Sequence, residues 1–409
     1  MLVAFTLENY KSFRDRQELS FVSSPGDEHP DHFVTLANGL RVNRFAALIG
    51  GNGVGKTQLI KAINEFASGI HNDELHTLHK PFLLSKDCRD KPTSFEAIFV
   101  DDLQENFIRY GVSVRDENIE REYLYMRPIK KGAREVCIFT RDKEGVSFKK
   151  VEYKKHEALI SPVLRESGAV ITFAKSLEVD ALIETRRWAL KQLPYYSENH
   201  KNPSLKFVEG RLRQQMEGDS EDKKLNSAGL NILKTYNELV VKSPLHIDKV
   251  EFMRYGEENE YRFVYFIKNV DGDFTRIGPD RRDDFFSQGT INVLTFLAVL
   301  IWVNEYSFTL YVDELDSSIH YSLASSLIKK ILERTSKQRG VQFVMSTHNI
   351  PLLDDCFRRD ELNIIVKDET KSSIITNAST FSVRKDAKVS AKYLRGEFGS
   401  VPSFLNIEK

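Results

Sequence analysis

A chain of 409 residues, 41% hydrophobic and 29% charged, has the composition of a soluble globular protein with room for two or three domain-sized units. Its 59 basic and 59 acidic side chains cancel, so overall charge gives no sign of a nucleic-acid partner, although a local basic face remains open. No apolar run reaches the length of a membrane span, the start lacks the pattern of a signal peptide, and Cys88, Cys137 and Cys356 are too scattered for a disulfide framework; a reducing cytosol is expected.

In chain order, alternating apolar residues predict strands over 2–7 and 19–22, and a buried strand over 45–49. A helix follows from 58, ending near Gly69. Residues 71–92 read as a polar loop, with His71, His76 and His79 in a solvated segment. Strands of an antiparallel sheet are expected at 95–100, 107–114, 123–126 and 136–140. Residues 157–241 look helical, broken at 161–162, 193–194 and 201–203, and without the sustained heptads of a coiled-coil arm. Strands return at 247–252, 261–267 and 274–277, the last two joined by a turn at 271–273. A helix over 291–304 leads into a strand over 308–312, and another strand begins at 341. The expected division is 1–150, a helical insertion over 151–243, and 244–409.

Four stretches carry chemistry. Gly50-Gly-Asn-Gly-Val-Gly-Lys-Thr57 fits G-x-x-x-x-G-K-[ST] between a strand and a helix, the context that makes it a P-loop. Backbone N–H groups of Asn52, Gly53 and Gly55 and the helix start at Thr57 and Gln58 are expected to cradle phosphates. Lys56 should reach the β- and γ-phosphates of ATP, and the Thr57 hydroxyl should hold Mg²⁺. The strand over 308–312 delivers Asp313 and Glu314 at its carboxyl end, where open α/β sheets bind ligands. Asp313 is expected to hold Mg²⁺ through water and Glu314 to activate the attacking water. Ser287-Gln-Gly-Thr290 opens the helix over 291–304, where Ser287 can cap it and the free N–H groups offer an anion site. His348, after a strand ending Ser-Thr, is expected to sense the γ-phosphate.

The order P-loop, S-x-G-T, Asp-Glu, Leu315-Asp-Ser-Ser-Ile-His320 and Ser-Thr-His resembles the ABC-type ATPase heads shared by SMC, RecF and OLD proteins, over roughly residues 1–115 and 245–400. The opening residues 1–13, the Asp-Glu-Leu-Asp-Ser-Ser run and residues 393–399 are similar to compact bacterial phage-defence ATPases of the RloA, AbiL and PARIS kind. The resemblance implies an α/β ATPase head with a P-loop core sheet, an antiparallel β-subdomain and an inserted helical subdomain. It also implies a homodimer or higher oligomer in which Ser287 and Gly289 of one copy reach the γ-phosphate held at Lys56 of another, with Asp316 in a coupling D-loop.

A Q-loop glutamine is not evident between 60 and 110, where Gln104 is the one candidate; Toprim and HEPN effector patterns are missing. A separate effector protein, a nuclease or toxin, is therefore implied. The alternative is a RecF- or SMC-like DNA-binding ATPase, with Lys149-Lys150, Lys154-Lys155 or Arg281-Arg282 as cationic candidates. No membrane partner is expected.

Overall fold

The computed structural model describes residues 1–26, 28–196, 205–218, 224–256, 260–314, 321–336, 340–381 and 388–399. Among these, five strands run parallel in the order Gln192–Tyr196, Thr309–Asp313, Gln342–Thr347, Phe45–Ile49 and Leu362–Lys367, and Ser373–Asn377 completes the sheet antiparallel. Parallel strands need crossovers that cover both faces of a sheet, so both faces must be apolar. Phe45–Ile49 is buried throughout. Ala46 and Leu48 enter the core on one face; Phe45, Ala47 and Ile49 enter the core on the other.

Seven further strands among the described residues form an antiparallel sheet in the order Gly145–Phe148, Val136–Asp142, Asn118–Pro128, Asn106–Arg115, Thr93–Val100, Leu2–Glu8 and Gln17–Ser20. The expected strands are present, that read at 19–22 lying earlier at Gln17–Ser20, and Gly145–Phe148 is an addition. The P-loop helix, Lys56–Asn72, packs against both sheets through Leu59, Ile60, Ile63 and Phe66. Phe66 sits 5.9 Å from Phe5, 5.7 Å from Phe95 and 5.9 Å from Tyr110, ring centre to ring centre. This helix runs past the expected end at Gly69 because Asp73, in the left-handed conformation, closes it by donating its N–H to the Gly69 carbonyl. The other face of the core sheet is covered by Gln288–Tyr306, whose residues 293–303 are all buried, Thr295 included. A helix apolar all round belongs in the interior. The architecture is α/β: a P-loop core sheet, an antiparallel β-subdomain and inserted helices.

Residues 151–243 are helical over much of their described length, but Gln192–Tyr196, read from sequence as a break in helices, is an edge strand parallel to Thr309–Asp313. An edge position tolerates Pro194, which has no N–H to give a neighbour. The strand divides the helices between faces: Asp180–Leu190 joins the core of the P-loop helix, while Leu205–Arg213 and Ser227–Val241 join that of Gln288–Tyr306. Lys249–Tyr255, Glu260–Lys268 and Phe274–Ile277 form the expected antiparallel ribbon. No helix among the described residues is long and apolar enough to cross a membrane. His79 is held in a turn, its Nδ1 accepting from the Asp116 N–H at 3.2 Å, and the described residues contain no cluster of three or more metal-ligating side chains.

One buried ionic knot ties the chain before the P-loop strand to the far side of the core. Asp360 accepts from Ser23 Oγ at 2.9 Å, the Ser24 N–H at 2.7 Å and Arg358 Nε at 3.0 Å. Burial alone would raise its pKa, but these donors and the guanidinium charge outweigh it and hold the carboxyl below the usual range. A depressed carboxyl pKa stabilises the fold above the unfolded value, near 4, and the benefit is lost as pH falls through the folded value. Asp360→Asn is expected to cost about 2 kcal/mol at pH 7 in urea unfolding, with the difference from wild type shrinking below about pH 4.

Candidate functional site

The parallel strands end on one edge of the core sheet, and the residues singled out by sequence follow those ends. Gly50, directly after Phe45–Ile49, has φ +155°, and a Cβ there would lie 2.3 Å from the Ile365 carbonyl oxygen of the neighbouring strand. Gly55 has φ +116°, and its Cβ would fall 2.7 Å from Ser373 Oγ and 2.8 Å from Ser12 Oγ. Only glycine fits either position. Behind this loop, Ser373 Oγ donates to the Val54 carbonyl at 2.6 Å, and Gln58 Oε1 accepts from the Ser12 N–H at 2.9 Å. The loop is thus clamped from its rear by the Ser12 turn and the Ser373 strand, leaving its front open. Residues 52–58, Glu314 and His348 line a cavity of about 520 Å³ on that front.

Two adjacent acids leave the end of Thr309–Asp313 in different directions. Asp313 is buried, whereas Glu314 takes φ +54°, an uncommon conformation for a residue with a Cβ, and turns into the cavity. Ser346 fixes both. Its Oγ donates to Asp313 Oδ1 at 2.6 Å and accepts from the Glu314 N–H at 2.9 Å. Ser346→Ala would leave a buried carboxylate oxygen and the strained peptide N–H without this hydroxyl. Its expected effect is a roughly 10- to 100-fold loss of ATP turnover with ATP affinity little changed, measured by phosphate release and calorimetry.

Lys56 and His348 complete the arrangement. The buried Lys56 Nζ donates to the carbonyls of Gly50 at 2.9 Å and Gly51 at 3.1 Å. His348 Nε2 lies 3.1 Å from Lys56 Nζ and 3.0 Å from Glu314 Oε1. One ring nitrogen cannot accept from the ammonium and donate to the carboxylate in the same tautomer. The histidine can therefore keep only one of these two bonds in any one tautomer.

The other expected residues lie elsewhere. Ser287 caps Gln288–Tyr306, its Oγ accepting from the Thr290 N–H at 3.2 Å; Ser287 is exposed, and neither it nor Gly289 lines the cavity of its own chain. Asp316 lies outside the described residues. Gln104 sits in a turn with φ +58° and lines a different cavity, with Ser307, Thr309 and Gly340 at the opposite ends of the strands. It cannot serve this site. Tyr393 borders a smaller, mostly apolar cavity that shares Asn52 and His348 with the first.

A family model described as "AAA domain, putative AbiEii toxin, Type IV TA system" matches residues 45–355, from the P-loop strand through His348. The chain belongs to that family. Membership in this AAA family makes the chain a P-loop ATPase by descent. No curated protein matches it. Among solved structures, the SMC head domain from Thermotoga maritima is 13% identical with a TM-score of 0.42, over 92% of this chain and 98% of that one. An Smc head bound to the C-winged helix domain of ScpA is 14% identical, TM-score 0.47, over 92% and 96%. An Smc head domain with a coiled coil and joint from Pyrococcus yayanosii is 12% identical, TM-score 0.47, over 97% and 99%. At these scores the likeness carries no weight for function.

Within the AAA family site, Ser346, Ser12 and Ser373 have roles that the sequence alone did not suggest. Ser346 left one signal, a hydroxyl at the end of an apolar strand; the two acids it holds lie more than thirty residues earlier. Ser12 and Ser373 left none, since they meet across most of the chain.

Proposed function

We propose that the chain binds and hydrolyses Mg-ATP and that ATP closes two copies into a switch controlling a separate effector protein in bacterial phage defence. The meeting of Lys56, Glu314 and His348 over the glycine loop carries this reading. The residues fit the ligand: a backbone cradle that a Cβ would fill, and a buried ammonium for the β- and γ-phosphates. Thr57 and Asp313 supply the hard oxygen donors that suit Mg²⁺, which takes few protein ligands beside phosphates. The metal would neutralise charge on the phosphates.

Lys56 binds and orients the γ-phosphate, Glu314 accepts the proton of the attacking water, and His348 reads the γ-phosphate while bonded to Glu314. Ser287 and Gly289 stand outside the cavity of their own chain, so their part in the switch is to meet the nucleotide of a second copy. The capped, exposed start of Gln288–Tyr306 suits that, because its free N–H groups attract anions.

The family description, with its toxin and toxin–antitoxin terms, supports a conflict-system setting. Phage challenge tests it: cells carrying the chain with its neighbouring genes should restrict phage and Lys56→Ala cells should not. Equal plaque counts in both would set the defence role aside. The DNA-repair alternative asks for a cationic stripe by the cleft, but Arg282 Nε already donates to Asp283 Oδ1 at 3.3 Å.

A further inference from the structure

The side of the antiparallel sheet turned away from the P-loop helix is built unlike an ordinary solvated face. Along Asn118–Pro128, Glu122 and Leu124 point into the core, while Arg121, Tyr123, Tyr125 and Arg127 alternate onto the outer side. Tyr123 pairs across the sheet with Gly111, and a Cβ on Gly111 would sit 2.3 Å from the Tyr123 ring. The phenol end therefore lies down across the neighbouring strand, and its hydroxyl donates to Glu96 Oε2 at 2.6 Å. A residue other than glycine would force this ring up. Tyr125 stands at 5.8 Å from Tyr123, and guanidinium groups lie over both rings: Arg109 at 4.3 Å from Tyr125 and Arg121 at 5.0 Å from Tyr123.

The charges on this face are uneven. Glu96 and Glu135 are engaged by Arg109 and Arg16. Arg121 and Arg127 are exposed and have no carboxylate within ion-pair distance among the described residues; Arg127 stacks 4.8 Å over Phe107. Lys149, two strands away, extends the cationic side, with Nζ donating to Ser147 Oγ at 3.1 Å. The exposed acids Glu8 and Glu18 lie on the two strands at the opposite edge. Tyrosine rings topped by stacked guanidinium planes, with Arg121 and Arg127 unneutralised by any carboxylate among the described residues, offer flat cationic surfaces that suit planar bases on a phosphate backbone. A duplex keeps the faces of its bases covered, so the platform selects single strands.

We propose that this outer sheet face, centred on Tyr123 and flanked by Arg121, Arg127 and Lys149, binds single-stranded nucleic acid. The site is separate from the ATP cavity and does not depend on the reading given to that cavity. The test is fluorescence anisotropy of the full chain with labelled dT20 and rU20 and with a 20-base-pair duplex, between 50 and 200 mM salt. Binding of a single strand is expected with a Kd on the order of micromolar, tighter than the duplex, and with a log–log salt slope of about −2 for three neutralised phosphates. Arg121→Glu with Arg127→Glu should weaken it at least about tenfold. Tyr123→Ala should weaken it roughly 5- to 100-fold, and Tyr123→Phe, which keeps the ring, should bind close to wild type. ATP affinity serves as the folding control and should be unchanged in all three. No binding by wild type, binding indifferent to charge reversal, or preference for the duplex each overturns the proposal. Loss of a protein partner in these variants, without single-strand binding by wild type, would make the face a protein surface and overturn it equally.

Discussion

Glu314→Gln is expected to bind ATP within a few-fold of wild type and to turn it over at least about 100-fold more slowly. Removing a general base costs on the order of 10²- to 10⁴-fold, and glutamine keeps the size of the side chain while losing its capacity to take a proton. In the proposed mechanism this acid, and not Asp313, is the base, and the geometry supports that choice. Glu314 is turned into the cavity by its positive φ and faces His348, whereas Asp313 is buried with one carboxylate oxygen held by Ser346. Phosphate release at saturating Mg-ATP, with calorimetry for affinity, checks both halves. Turnover at the wild-type rate would remove Glu314 from this role.

Lys56→Ala should weaken ATP binding at least about 30-fold, because truncating one member of a buried, hydrogen-bonded charge pair costs roughly 2–5 kcal/mol. The ammonium is buried at the base of the glycine loop, where water screens it little. It also donates to the Gly50 and Gly51 carbonyls, so the variant should lose about 1–2 kcal/mol of stability as well. Lys56→Met, which keeps most of the packing, separates the two effects. Near-normal ATP affinity in a folded Lys56→Met protein would contradict the assigned contact.

What was legible in the sequence had a local physical cause. A glycine loop between strand and helix, two acids after an apolar strand and a serine before an apolar helix each announce themselves within about ten residues. The antiparallel strands showed because each carries its own alternation and turn residues. Gln192–Tyr196 did not show, since a short strand containing Pro194 between helices looks like a helix break, and only its pairing with Thr309–Asp313 makes it a strand. The same holds for Ser346 and for the Ser12–Ser373 clamp, whose meaning lies in contacts far along the chain. The positive φ of Glu314 is set by tertiary packing and has no sequence signature. The tyrosine platform was hidden for a related reason: its ring rests on Gly111, a glycine in mid-strand that sequence alone marks as a weak point.

The central claim, that ATP joins two copies through sites each completed by the other, is tested most directly by native mass spectrometry of Glu314→Gln protein in Mg-ATP. Two chains carrying two ATP molecules are expected, dissociating to single chains when Ser287→Arg is added. A single chain carrying one ATP, or a pair that persists without nucleotide and ignores Ser287→Arg, would contradict it.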